Sequence, residues 1–434
     1  MTVQRAGSSA ERFPAGFLWG TATSSHQVEG HNSANDWWDW EQRPGTIHDG
    51  TTSGAAADWW SGRAEEDLRS AAALGQNAHR LSLEWSRLEP EPGRWDDGAF
   101  ERYAEMLRCA RQVGLEPLVT LNHFTLPRWL ARRGSWLAAD AAQRFERYAL
   151  ECARRLGSFV ELWATQNEPN VLAYAAYADG RWPPGHRNPV SLLRALRAML
   201  AAHARAYRAL HAQQAKARVG IVLSLPQFDP FAPRALDHAV AQAQDWAFNG
   251  VLLEALASGR LLPPLGLGRS LPGLARSFDW LGVNYYGRYR VAFDLRAARE
   301  LFGRRDASAT VHTPTNDWGE PYAEGLTRQL LALRRFGVAL YVTENGIFDN
   351  DDQRRPGFLR EHVAAVRTAI DAGADVRGYF HWTLVDNFEW AEGWSARFGL
   401  FALERRTQQR TLRPSGELYA EICRSHGAAA NSRG

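Results

Sequence analysis

Short apolar, β-branched runs alternate along the chain with longer stretches whose apolar positions recur at helical spacing. The runs cover residues 17–23, 78–85, 116–122, 162–167, 219–225, 280–287, 339–342 and 376–384. They show little period-two alternation, as expected of strands buried on both faces. Between them, helices are predicted at 63–74, in a stretch ending near Gly114, at 322–336, at 356–372 and at 414–424. Another carries Phe145, Tyr148, Cys152 and Leu156 on one stripe, and a further one holds residues 246–256. Asn188-Pro189 opens a long helix with a capping side chain followed by proline at the first position, and its stripe runs Leu193, Leu196, Leu200, His203, Tyr207, Leu210. His203 on that stripe reads as a packed histidine rather than a ligand.

Strand then helix, eight times over, implies parallel strands. With no Gly-, Pro- or Ser-rich linker to divide them, the units predict an α/β fold made of one domain, a closed (β/α)₈ barrel spanning 13–426. Residues 1–12 are expected to be loosely attached and 427–434 to form a flexible tail. An open doubly wound sheet would carry a glycine-rich phosphate loop after its first strand, and none occurs here. The one long irregular piece, 288–320, is expected to be a functional or lid-like loop.

Two of the strands end in carboxylates. Residues 339–346 read Ala-Leu-Tyr-Val-Thr-Glu-Asn-Gly, and 162–169 read Leu-Trp-Ala-Thr-Gln-Asn-Glu-Pro. Glu344 and Glu168 thus sit where buried strands run out, which in a barrel is the rim that bears active sites. A paired acid and carboxylate suit cleavage of a glycosidic bond, with inversion at about 6.5–9.5 Å separation or retention at about 5–5.5 Å. Gln27, His123, Asn167, Asn284, Tyr286, Trp382 and Glu389 are all expected at or just past strand ends, where they offer the hydrogen bonds and flat faces that sugar rings need. Singly each has a plain alternative: His123 or Trp382 as core, Trp390 likewise, Glu168 as a helix cap, Glu389 as the partner of an arginine. Their convergence on one rim favours a site.

These stretches resemble glycoside hydrolase family 1 over 13–422. The resemblance rests on Phe13-Pro14-x-Gly16-Phe17-x-Trp19-Gly20-x-Ala22-Thr23, Gln27-x-Glu29-Gly30, Thr165-x-Asn167-Glu168-Pro169, Thr343-Glu344-Asn345-Gly346, Asp386-Asn387-Phe388-Glu389-Trp390 and Arg397-Phe398-Gly399-Leu400. It implies a retaining β-glucosidase or β-glycosidase, with Glu344 as nucleophile and Glu168 as acid, then base. Asn167 would bind the 2-hydroxyl; Gln27, His123, Glu389 and Trp390 the 3-, 4- and 6-hydroxyls. Trp382 would be the platform and Phe398 would line the pocket near C6. Arg80 and Tyr286 would support Glu344, with Asn284 beside them. His26, Phe124-Thr125 and Gln166 depart from the family's usual residues. Rival readings are a 6-phospho-β-glycosidase, a barrel endo-glycanase and a non-catalytic sugar-binding protein.

Composition narrows the partners. Of 434 residues 45% are hydrophobic, and the net charge is +3, too small to mark a nucleic-acid or membrane surface. Lys216 is the only lysine, and the arginines are spread along the helices. Cys109, Cys152 and Cys423 lack metal-ligand spacing, so no metal is expected. No organic cofactor is expected either, since two carboxylates and water suffice. With a polar N-terminus and no apolar run of membrane-spanning length, a cytoplasmic protein is expected; the resemblance implies a small β-glycoside or oligosaccharide as its substrate. The oligomeric state is left open.

Overall fold

A computed structural model of the chain describes residues 13–431, apart from 307, 309, 310 and 314–317. Eight strands form a closed parallel barrel: β1 (Leu18–Ala22), β2 (Ala78–Ser82), β3 (Glu116–Asn122), β4 (Leu162–Asn167), β5 (Arg218–Ser224), β6 (Trp280–Tyr285), β7 (Ala339–Asn345) and β8 (Val376–Trp382). Each pairs with its neighbours in chain order, and β8 returns to β1 with Ala22 opposite Trp382. Helices follow the strands and bury their apolar stripes against the outer face. Ala141–Leu156 does so with Phe145, Tyr148, Cys152 and Leu156, the stripe read from the sequence. Asn188 caps Pro189–Gln213 by accepting the Val190 N–H at 2.8 Å, and His203 is buried against Thr165 Oγ1 at 2.7 Å.

The barrel interior is packed with side chains. Trp280 and Phe380 project inward and need glycine opposite them. A Cβ on Gly220 would lie 2.4 Å from the Trp280 ring, and one on Gly20 2.7 Å from Phe380. Large and small residues are thus matched across strands, and no bore is left.

Two of the strands that reach the rim are irregular where they matter. The β6–β7 register slips between Val342 and Glu344, and the β4–β5 register between Ala164 and Asn167. An irregularity of this kind re-aims the next side chain. β7 therefore continues to Asn345 rather than stopping at 342.

Other sequence expectations change. Residues 288–320 are not one irregular loop: Arg288–Phe293 and Gly303–Arg305 join Gln227–Pro230 in a three-stranded sheet. Alternation there was masked by arginines that cover rings with their stems and guanidinium faces, as Arg305 does over Tyr289. Residues 427–431 are not a free tail. Ala428–Asn431 forms a turn of 3₁₀ helix and Ala430 is buried, while His426 O accepts the N–H of Phe13 at 3.1 Å. The tail beyond 431 and the N-terminal segment 1–12 lie outside the described residues. A hairpin of Phe401–Glu404 with Gln409–Leu412, unmarked in the sequence, follows β8. No helix among the described residues is long and apolar enough to cross a membrane.

The long segment after β8 is braced by one buried ion pair. Arg413 donates to both carboxylate oxygens of Asp386, at 2.8 and 2.7 Å, and Asp386 also accepts the Gly399 N–H at 3.0 Å. Both residues are buried, so removing one partner strands a charge. Arg413→Met is expected to lower stability by about 3 kcal/mol in denaturant unfolding; a loss below about 1 kcal/mol, the scale of an exposed pair, would show that the brace is dispensable.

Candidate active site

At the carboxyl ends of the strands lies a cavity of about 460 Å³. His123, Glu168, Tyr286, Glu344, Trp382, Glu389 and Trp390 stand on its wall, seven of the residues picked from the sequence. Gln27, Arg80, Asn167 and Asn284 lie just beneath, fully or almost fully buried, and hold the wall in place. Phe398 departs from expectation. It is 1% exposed and packs edge-on to Trp318 (5.2 Å) and Tyr286 (6.3 Å), so Trp318, from a loop, takes the cavity wall in its stead.

Arg80 on β2 is the hub beneath the wall. Its Nη1 donates to Glu344 Oε1 at 2.5 Å and to the Thr343 carbonyl at 3.2 Å, Nη2 donates to Asn167 Oδ1 at 2.7 Å, and Nε to Thr120 Oγ1 at 3.1 Å. Tyr286 donates its hydroxyl to the other oxygen of Glu344 at 2.7 Å. Glu344 thus has a fixed cation on one oxygen and a neutral donor on the other, while itself only 3% exposed.

Glu168 stands differently. It accepts from Asn284 Nδ2 at 2.8 Å and has no arginine within ion-pair distance among the described residues. Burial, and next the charge of Glu344, push its pKa up from 4.5 to about 8. Its position before Pro169 makes it the first residue flanking a short helix, but its side chain caps nothing. The expected plain alternative for Glu168 therefore fails. So does that for Glu389, which pairs with no arginine among the described residues: Gln27 Nε2 donates to it at 3.0 Å. Burial, followed by the charge of Glu344, raises the Glu389 carboxyl well above the usual range, and hydrogen bonds from Trp382 and Gln27 oppose that rise.

The amides fix further hydrogens. Asn167 Oδ1 receives Arg80 and Asn284 Nδ2 (3.0 Å), and Asn284 Oδ1 receives Thr343 Oγ1 (2.7 Å). Asn167 Nδ2 must then be the donor toward His123 Nε2 at 3.1 Å, which assigns the imidazole proton to Nδ1. Burial, reinforced by Arg80, lowers the His123 pKa well below 6.5, so the ring is neutral. Its buried Nδ1 has no hydrogen-bond partner among the described residues.

Three non-glycine residues on the wall hold a left-handed backbone: Phe124 (φ 72°), Glu168 (φ 43°) and Trp390 (φ 50°). Such conformations are costly and persist where the surroundings over-determine them. Of the departures from the resembled family, only Phe124 reaches the cavity, packed against Trp182 (4.8 Å) and Trp390 (5.3 Å). Thr125 donates to Glu84 at 2.9 Å, Gln166 to the Met199 carbonyl at 3.1 Å, and His26 stacks on Trp390 at 5.9 Å. Sequence reasoning missed Trp182, Trp318 and the outer wall of Tyr174, Phe228, Phe248, Tyr289 and Arg305. All come from connections outside the barrel strands. No cluster of potential metal ligands occurs among the described residues.

The geometry agrees with what the chain is related to. Residues 9–262 and 269–428 match the family Glycosyl hydrolase family 1. Thermostable beta-glucosidase B of Thermobispora bispora is 35% identical over 96% of this chain and 91% of its own length. A beta-galactosidase of Pyrococcus woesei is 30% identical over 96% and 98%. The structure of a beta-glucosidase from Thermotoga maritima in complex with glucoimidazole superposes with a TM-score of 0.88 at 31% identity, covering 96% of this chain and all of that one (100%). The chain belongs to glycosyl hydrolase family 1 and is a glycosidase.

Because the charge of Glu344 is one of the two causes raising Glu168, removing it lowers the value. In Glu344→Gln, Glu168 is expected to titrate below about 8, followed by carboxyl ¹³C NMR. An unmoved titration would mean that the two carboxyls do not sense each other.

Proposed function

We propose that this family member hydrolyses terminal non-reducing β-D-glycosyl residues, β-glucosides foremost and β-galactosides or β-fucosides beside them, with retention through a covalent glycosyl-enzyme intermediate. One observation carries the reading: two glutamates on the same rim, one after β4 and one on β7, occupy different environments, Glu344 in an ion pair with Arg80 and Glu168 in none among the described residues. Glu344, with Arg80 and Tyr286 on its oxygens, is placed to attack the anomeric carbon as a carboxylate. Glu168, raised to about 8, carries the proton at neutral pH that the leaving oxygen needs. Once that proton has left with the aglycone, Glu168 is a carboxylate and takes a proton from the incoming water. The water attacks the anomeric carbon, and Glu344 is expelled.

The sugar would be held at the far end of the cavity. Trp382 and Trp390 supply flat faces, and the neutral His123 imidazole stands on the same wall for a hydroxyl. Glu389, bridged to Gln27, can accept from an equatorial or an axial 4-hydroxyl, which is the difference between gluco and galacto sugars. Relatives named beta-glucosidase and beta-galactosidase accord with that breadth. A 6-phosphate fits poorly, since no arginine or lysine pairs with Glu389 among the described residues. Two complete carboxylate settings speak against a binding protein without turnover. A cytoplasmic location is part of the same proposal; the three cysteines are buried thiols.

The test is hydrolysis of an aryl β-glycoside panel (gluco, galacto, fuco, manno, 6-phosphogluco), with the first-formed anomer read by ¹H NMR. β-sugar from wild type and a loss of several orders of magnitude in Glu344→Ala support the reading; first-formed α-sugar would overturn it. The pH profile adds a check with a definite sign: kcat/KM falls as pH rises through about 8, where Glu168 loses its proton. An alkaline limb that persists unchanged in Glu168→Gln would assign it to another group.

A further inference from the structure

Beyond Glu168 the cavity opens onto the aromatic wall of Tyr174, Phe228, Phe248 and Tyr289. Two guanidiniums, those of Arg181 and Arg305, line the cavity, and Arg305 stands among these rings. Arg305 closes the strand Gly303–Arg305, which runs antiparallel to Arg288–Phe293 with Arg305 opposite Val291. Successive strand residues face opposite ways. Arg304 turns outward, exposed and 3.4 Å from Asp294, whereas Arg305 turns to the cavity. Its guanidinium lies over the Tyr289 ring at 4.2 Å and 5.6 Å from that of Phe228.

The neighbouring guanidiniums are neutralised. Arg181 pairs with Asp179 at 3.2 Å, Arg288 with Glu320 and Asp229, and Arg290 with Asp306 and Glu320. Arg305 has no carboxylate within 4.0 Å among the described residues, although it is partly withdrawn from solvent. Stacking occupies a face of the guanidinium and leaves the in-plane N–H fork for a planar acceptor. An aromatic slot holding a guanidinium that no carboxylate among the described residues pairs is complementary to a flat ring that carries an anion.

We propose that the leaving-group side of the site selects aromatic aglycones bearing a carboxylate, of the hydroxybenzoate or hydroxycinnamate type, with Arg305 forking the carboxylate and the aromatic wall covering the ring. This rests on the glycosidase reading and names its substrate class. Glu168 protonates the phenolic oxygen as for any aryl glycoside; Arg305 acts on specificity alone.

The test compares 4-carboxyphenyl β-D-glucoside with its methyl ester, and cellobiose beside them, on the full chain, on Arg305→Gln and on Arg305→Lys. The same two aryl substrates are used throughout, so their difference in phenol acidity cancels from the comparison. The ratio of kcat/KM, carboxylate over ester, is expected to fall about tenfold in Arg305→Gln, in keeping with a lost charge-assisted hydrogen bond. Arg305→Lys should keep part of the preference, and the wild-type ratio should decrease as ionic strength rises. A ratio unchanged in both variants overturns the proposal, as does cellobiose exceeding both aryl glucosides in wild type. Hydrolysis of none of the three by folded wild type would instead strike at the glycosidase reading itself.

Discussion

A buried guanidinium is the constraint on which the site depends. Arg80 is fully enclosed, so each of its charged edges must be met from inside the protein. Thr120, Asn167, Thr343 and Glu344 meet them, from β3, β4 and β7, and in doing so draw three strand ends toward β2. Glu344 supplies the compensating charge. Its position is therefore a requirement of the fold's electrostatics as well as a resource for chemistry, and loss of either partner leaves the other buried and unmatched.

The chemical asymmetry follows from the same arrangement. With Arg80 committed to Glu344, Glu168 makes no ion pair among the described residues, and burial together with the charge of Glu344 raises its pKa. Asn284 and Asn167 relay Arg80's orientation to Glu168 and to His123, so one fixed cation sets the direction of both asparagine amides beneath the wall. Of the three left-handed backbones on the wall, that of Glu168 is met by this network through Asn284, while Phe124 and Trp390 pack against His123, Trp182 and each other.

Much of this was legible in the sequence, and the division has a physical cause. Barrel strands declare themselves because burial on both faces requires unbroken apolar runs; β3 agrees residue for residue, and the cap at Asn188 and the stripe through Tyr148 are as read. Glu168 and Glu344 stood out because a carboxylate ending such a run needs a reason. Positions set by loops were not legible. Phe398 reads as pocket-lining until Trp318 covers it, Arg305 looks like one more surface arginine until strand alternation turns it inward, and Ala430 is apolar but too small to announce that it is buried. The direction of the Arg80 fork, which decides which glutamate it pairs with, lies wholly in tertiary geometry.

The central claim is that Glu344, and no other carboxyl of the cavity, bonds to the sugar. The most direct measurement is to inactivate the enzyme with an activated 2-deoxy-2-fluoro-β-glucoside, digest it and locate the label by mass spectrometry. A single glycosyl adduct on the peptide carrying Glu344 is the predicted result. An adduct on Glu168 or Glu389, or turnover that never leaves a covalent species, would contradict the account.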